Sequence, residues 1–322
     1  MKNKAIEAIV NELKQANTIL LFPHVNMDGD TLGSAVALCK ALRKMNKECH
    51  VLIEDEIPSN LQFLDKGYCT NNMEILPAQD LSICIDCGDA NRFALRKDKF
   101  NQGKKSICID HHLTTTKYCD VNLVDSTAAA AAQLIYELLL ALGAEIDQEI
   151  GEAIFAAITT DTGNFQYSNT TKKTHEIVGA LYDVGIDSNK VSICLYENIR
   201  LERLMIQNKA LSTLTTLCNG EVAMAYVTQD MLAQVGASMD ETEGVVEALR
   251  SIKGVKIAAF LKETEPEIIK ISLRAKGEVS ISGVAEKIGG GGHAQAAGCT
   301  INKSLTEAFD EVKAELLAYM ER

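Results

Sequence analysis

Short β-branched runs alternate with helical patterns through residues 1–187, and nothing else in the chain narrows the choice of fold as much. Runs that read as strands lie at residues 18–22, 50–53, 81–85, 106–109 and 121–124. Apolar residues recur at helical spacing over 4–14, 31–44, 128–142, 148–158 and 172–184. Strands separated by helices predict βαβ units, hence an α/β domain with a parallel sheet and helices on both faces. Residues 188–217 keep helical spacing as far as the turn at Asn219-Gly220 and read as a linker helix. Strands expected near 222–227, 255–261 and 267–273, with helices at 241–250, 279–288 and 304–319, make residues 218–322 a second, smaller α/β unit.

A length of 322 residues fits this two-domain reading. The net charge of -12 disfavours a sequence-independent grip on long duplex nucleic acid, which needs many cations against phosphates. A short anionic substrate stays compatible, provided that a local device such as bound divalent cations offsets the background. The ten cysteines are scattered, several inside apolar runs (Cys39, Cys84, Cys108), and the charged stretch 1–15 is unlike a secretory signal. Reduced thiols and a cytoplasmic location are therefore expected. The apolar stretch 126–146 has the length of a membrane span but carries Gln133 and Glu137; it reads as a buried helix, and no membrane contact is expected.

In open parallel sheets ligands bind beyond the carboxyl ends of the strands, so the residues just after each apolar run are the informative ones. The first run leads into His24, Asp28 and Asp30, the third into Asp86, the fourth into Asp110-His111-His112, and the helix through Ala157 into Asp161. Carboxylates gathered in one place repel one another, and divalent metal resolves that conflict. Oxygen and imidazole donors without thiolate suit Mn²⁺ or Mg²⁺ better than structural zinc. His24, Asp28, Asp30, Asp86, His111 and Asp161 are too many ligands for one ion with open positions, and suit two ions sharing a carboxylate. A single Asp after a strand is often only a helix N-cap; the convergence of several such ends carries the metal reading. Cys84 and Cys87 form a Cys-x-x-Cys, read here as a buried strand end and not as a redox or zinc motif.

In the second unit His293 follows the run Gly289-Gly290-Gly291-Gly292. Consecutive glycines allow backbone N–H groups to converge on an anion, a flexible loop being the competing reading. Arg274, at a strand end shortly before that run, is well placed for bidentate phosphate binding.

Together these elements resemble the DHH family of phosphoesterases. The resemblance rests on His24, Asp28, Asp30, Gly33 and Ser34, the isolated Asp86, the run Asp110-His111-His112, Asp161, and the Gly289 to His293 motif of the associated DHHA1 domain. Within that family the two-domain build is most similar to bacterial nano-RNases that also act as pAp phosphatases. The resemblance implies a manganese-dependent phosphoesterase acting on short single-stranded RNA or DNA oligonucleotides or small phosphorylated nucleotides. It implies one ion on His24, Asp28 and Asp86 and a second on Asp30, Asp86, His111 and Asp161, with Asp86 bridging. It further implies that His112 faces the scissile phosphate, that Asp110 steadies the ligand histidine, and that Arg274 with Gly290, Gly291, Gly292 and His293 holds the far end of the nucleotide as the second domain closes. The chain departs from the pattern at Met27, often proline, at Ala129, Ala130 and Ala131, often hydroxyl-bearing, and at Ala294-Gln295, where relatives often carry lysine. Competing readings are a cyclic- or linear-dinucleotide phosphodiesterase, a RecJ-type exonuclease, disfavoured by the short chain, a family II pyrophosphatase, and a non-catalytic nucleotide-binding module. A homodimer is compatible with the apolar helices.

Overall fold

A computed structural model describes residues 2–321, which divide into two compact units, 2–198 and 199–321. The first contains, in order, α1 (Lys2–Gln15), β1 (Thr18–Pro23), α2 (Gly29–Lys44), β2 (Glu48–Leu52), β3 (Cys69–Thr70), β4 (Leu81–Ile85), α3 (Lys97–Phe100), β5 (Lys105–Asp110), β6 (Val121–Val124), α4 (Ala131–Leu142), α5 (Gln148–Asp161), α6 (Lys172–Asp183) and α7 (Ser188–Tyr196). Its six strands are all parallel in the order β3-β2-β1-β4-β5-β6. The order reverses between β1 and β4, so the chain leaves these neighbours in opposite directions and opens a crevice at their carboxyl ends.

Alternate side chains along each strand enter two different cores. Ile19, Leu21, Ile83, Ile85, Ile107 and Ile109 join the large core with α1, α2, α4 and α5, whereas Leu20, Phe22, Cys84 and Cys108 pack against Phe93 and Phe100. Helical structure thus covers both faces, with a short 3-10 segment and α3 sufficing on the second. The Cys84 and Cys87 thiols donate to the carbonyls of Ile107 and Ile85 within that smaller core. Residues 126–146 contribute α4, and among the described residues no helix is long and apolar enough to cross a membrane.

The second unit contains α8 (Leu201–Leu211), β7 (Thr215–Leu217), β8 (Val222–Val227), α9 (Gln229–Val235), α10 (Val245–Ser251), β9 (Ile257–Glu265), β10 (Ile268–Ala275), α11 (Ser282–Lys287), β11 (Gly291–Gly292), β12 (Ala296–Asn302) and α12 (Leu305–Met320). Its sheet runs β11-β12-β10-β9-β8-β7; β8 and β9 are parallel and the other pairs antiparallel. Val222 and Met224 face the core with α11 and α12, while Ala223, Ala225 and Val227 face the one with α8 and α10.

Three local features differ from expectation. Residues 188–217 are not one helix: α7 and α8 are separate, and β7 follows as an edge strand. Gly244, at φ +93, divides the helix expected over 241–250 into a 3-10 turn and α10. The strand β12 was not expected because Ala-Ala-Gly-Cys carries almost no β propensity. Packing decides there, since a Cβ on Gly298 would lie 2.7 Å from the Ile271 carbonyl oxygen of the central strand β10.

Candidate metal centre

The loop after β1 carries His24, the loop after β4 carries Asp86, and β5 ends at Asp110 with His111 and His112 immediately beyond. Asp28 and Asp30 open α2, and Asp161 closes α5. The fold thus gathers every metal-ligating candidate of the first unit at the reversal in strand order.

His24 Nε2 lies 3.7 Å from Asp28 Oδ2 and 3.4 Å from Asp86 Oδ2. His111 Nε2 lies 3.7 Å from Asp30 Oδ2, 3.5 Å from Asp86 Oδ1 and 3.4 Å from Asp161 Oδ2. Three overlapping groups result, each with donor atoms within 4.8 Å of one another: His24, Asp28 and Asp86; Asp30, His111 and Asp161; and Asp86, His111 and His112. Asp86 belongs to two of them.

Main-chain carbonyls aim both inner imidazoles. The Nδ1–H of His24 donates to the Val25 carbonyl at 2.7 Å and that of His111 to the Ala128 carbonyl at 3.2 Å, which leaves each Nε2 turned toward the carboxylates. His112 is held differently: its Nδ1–H donates to Asp110 Oδ1 at 2.8 Å, and the half-exposed ring leaves Nε2 free. Asp110 also accepts from the His111 and His112 amides and from the Thr115 hydroxyl. It therefore steadies the His112 ring directly, and His111 only through its backbone.

The carboxylates are fixed with equal care. Asp28 is the N-cap of α2 and also a candidate ligand: Oδ1 accepts from the Asp30 and Thr31 amides, while Oδ2 faces His24. Fully buried Asp30 accepts from the Ala131 and Ala132 amides at 2.6 and 3.0 Å and from the Ser34 hydroxyl at 3.1 Å. Asp30 thus caps α4, whose own N-cap Ala130 offers no side-chain acceptor, and Ala129 to Ala131 are buried. The acceptor that this alanine segment lacks thus comes from a carboxylate on another helix.

Asp86 adopts φ +58, a left-handed conformation that Asp tolerates better than most residues. Its Oδ1 is buried and makes no hydrogen bond. An orphaned carboxylate oxygen is costly unless something positive meets it. The charge balance tells the same story. Burial, then the charges of Asp86, Asp161 and Asp28, push the Asp30 carboxyl well up; burial also raises Asp86 and lifts Asp161 to about 6. Burial opposes protonation of His24, but the Asp28 and Asp86 carboxylates prevail and raise it to about 9. His112 is raised to about 9, chiefly by Asp110. The donor set and the surplus negative charge suit divalent cations.

These shifts fix the sign of a pH effect. A group whose pKa is raised on folding stabilises the fold below its unfolded value and loses that contribution as pH rises through the folded value. For Asp161 the window runs from 3.8 to about 6, and for His24 and His112 from 6.5 to about 9. Without metal, stability is expected to fall across this range; metal held by His24 and Asp161 would need both deprotonated and would therefore bind more strongly as pH rises. The rise in melting temperature on adding Mn²⁺ should therefore be larger at about pH 8.5 than at about pH 5.5. Thermal melts with and without chelator check this, and a gain that shrinks with pH would exclude these ligands.

In the second unit β10 places Arg274 opposite Ala296, and a tight turn joins Ala296 to the exposed His293. Arg274 Nε lies 3.3 Å from Glu247 and its Nη1 donates to the Leu273 carbonyl. The glycine run is not an open nest of donors. The amides of Gly289, Gly290 and His293 donate to Glu286, Ala285 and Ala296, and Gly291 and Gly292 pair with β12. Glycine is required by contact: a Cβ on Gly290 would lie 2.2 Å from the Gly298 carbonyl oxygen.

The DHH family, N-terminal domain, matches residues 18–159 and the DHHA1 domain matches residues 219–322. A Thermus thermophilus protein named bifunctional oligoribonuclease and PAP phosphatase NrnA is 31% identical over 91% of this chain and 87% of its own length. The chain belongs to the DHH family of phosphoesterases. A Bacillus subtilis relative with the same name is likewise 31% identical, over 91% of this DHH protein and 92% of its own length. Among solved structures, an exopolyphosphatase-related protein from Bacteroides fragilis superposes with a TM-score of 0.92 at 25% identity, covering 98% of this chain and 96% of that one. This DHH protein is a hydrolase of phosphoester bonds.

Several supporting groups carry no readable signature in the sequence. The carbonyls of Val25 and Ala128 and the amides of Ala131 and Ala132 are backbone atoms, available at any residue type. Thr31, whose hydroxyl donates to the Ile85 carbonyl and accepts from the His24 amide, looks like any first-turn threonine.

Proposed function

We propose that this protein hydrolyses short oligonucleotides to mononucleotides and converts pAp to AMP and phosphate, using two divalent cations, of which manganese fits best. The orphaned, buried oxygen of Asp86 between two imidazole and carboxylate groups carries the metal part of this reading. The names of the Thermus and Bacillus relatives support the substrate part. His24, Asp28 and Asp86 would hold one cation, and Asp30, Asp86, His111 and Asp161 the other. Such a pair supplies a water of lowered pKa and a counter-charge for the phosphoryl oxygens.

The chain's own residues do the rest. His112, whose protonated form Asp110 favours, donates from Nε2 to a phosphoryl oxygen and stabilises the charge that develops there. The carbonyls of Val25 and Ala128 prevent the inner imidazoles from turning. Arg274 with the segment Gly290, Gly291, Gly292 and His293 is assigned to the substrate's remaining phosphate. The support is chemical: a partly exposed guanidinium and an exposed imidazole, beside the exposed Gly291 and Gly292.

The test is a panel of pAp, di- to pentanucleotides, cyclic dinucleotides and pyrophosphate, each with Mn²⁺ and with chelator. Release of mononucleotide from the shortest oligomers and of phosphate from pAp, both lost with chelator, is the expected result. Preference for cyclic dinucleotides or pyrophosphate would overturn the substrate assignment, and full activity in chelator would overturn the metals.

A further inference from the structure

Asn169 follows α5 and carries no charge, yet its amide joins two stretches of main chain on which the centre depends. Nδ2 donates to the Ala129 carbonyl at 2.9 Å and to the Asp161 carbonyl at 3.1 Å. Both acceptors are carbonyl oxygens, so the orientation of the amide follows from chemistry, since Oδ1 turned toward them would meet only acceptors. Oδ1 itself is buried and makes no hydrogen bond. The side chain is thus held where it serves two backbone acceptors and leaves its own acceptor unmatched.

What it joins gives the contact its meaning. Ala129 stands between Ala128, whose carbonyl aims His111, and Ala131 and Ala132, whose amides hold Asp30. Asp161 ends α5, and its backbone there is fixed by the same amide. His111, Asp30 and Asp161 make up one of the groups whose donor atoms lie within 4.8 Å of one another. Alanines at 129–131 have no side chain with which to anchor this segment. We propose that Asn169 is a positioning residue that sets the divalent-cation affinity of the site formed by Asp30, His111 and Asp161, leaving the His24 and Asp28 site unaffected.

This inference rests on the two-cation reading above, and calorimetric titration of the metal-free full chain with Mn²⁺ separates the two. The wild type is expected to take up two ions. Asn169→Ala should bind one of them as before and the other about 10- to 100-fold more weakly, the range typical when a group supporting a metal ligand is removed. The Mn²⁺ concentration for half-maximal hydrolysis of pAp should rise in parallel, with turnover recovering at high Mn²⁺. Ser168→Ala, next to it in the chain, should leave both binding steps unchanged. Asn169→Gln keeps the amide but is too long to bridge the same two carbonyls; it should show the same selective weakening and serves if the alanine variant does not fold. A folded Asn169 variant with the wild-type isotherm, or one in which both ions weaken equally, overturns the inference. A wild type that binds fewer than two ions overturns the two-cation reading instead.

Discussion

Asp86→Asn is expected to lower Mn²⁺-dependent hydrolysis by about 10³-fold or more while the protein stays folded. Asn has nearly the same shape and accepts the left-handed backbone found at this position, so little strain is added. An amide oxygen carries no full charge and cannot serve two cations as a carboxylate can. The same change removes one of the mutually repelling carboxylates and the orphaned buried oxygen. Melting temperature in chelator should therefore hold or rise, and the stabilisation by Mn²⁺ should largely vanish. Asp86→Ala should lose activity equally, with some added backbone cost. Steady-state rates on pAp and a dinucleotide, with melts in chelator and in Mn²⁺, make the check; a rate within tenfold of wild type would exclude Asp86 as the shared ligand.

Gly33→Ala is expected to destabilise the protein by about 1–3 kcal/mol, and Gly33→Val by more. The sign matters, because Gly to Ala inside an unobstructed helix gains up to about 1 kcal/mol. Here α2 and α5 cross so closely that a Cβ would sit 2.5 Å from the Ala153 carbonyl oxygen and 3.1 Å from the Ala157 Cβ. Relief requires the helices to separate. Since α2 carries Asp30 and α5 carries Asp161, separation pulls one candidate cation site apart, and Mn²⁺ activation should suffer along with stability. Denaturant melts and Mn²⁺ titrations of Gly33→Ala test this. An unchanged or higher midpoint would mean that the contact gives way easily.

How much of this was legible beforehand depended on where the physical cause lies. The strands at 81–85 and 121–124 appear where the β-branched runs place them, because a sheet buried on both faces needs apolar side chains in both directions. β12 and the glycine run were not legible as strands, because pairing with β10 and close packing hold them, and propensity does not. The break between α7 and α8 was also hidden, since helical spacing continues across it.

The candidate ligands were legible for a different reason. Strand ends are set by the alternation of runs, and the carboxyl ends of a parallel sheet lie at one edge, so the residues just beyond them converge whatever the details. The sequence by itself therefore determined the family, the parallel sheet and the collection of His24, Asp28, Asp30, Asp86, His111 and Asp161 at one edge. Only the tertiary structure decided that Asp28 caps α2 while facing His24, that Asp30 on α2 caps α4, and that Asp110 holds His112 and not the His111 ring. Those roles depend on hydrogen bonds to backbone atoms and to residues up to about a hundred positions away. Backbone donors and acceptors are the same at every residue, so their arrangement is absent from the sequence and exists only once the chain has folded.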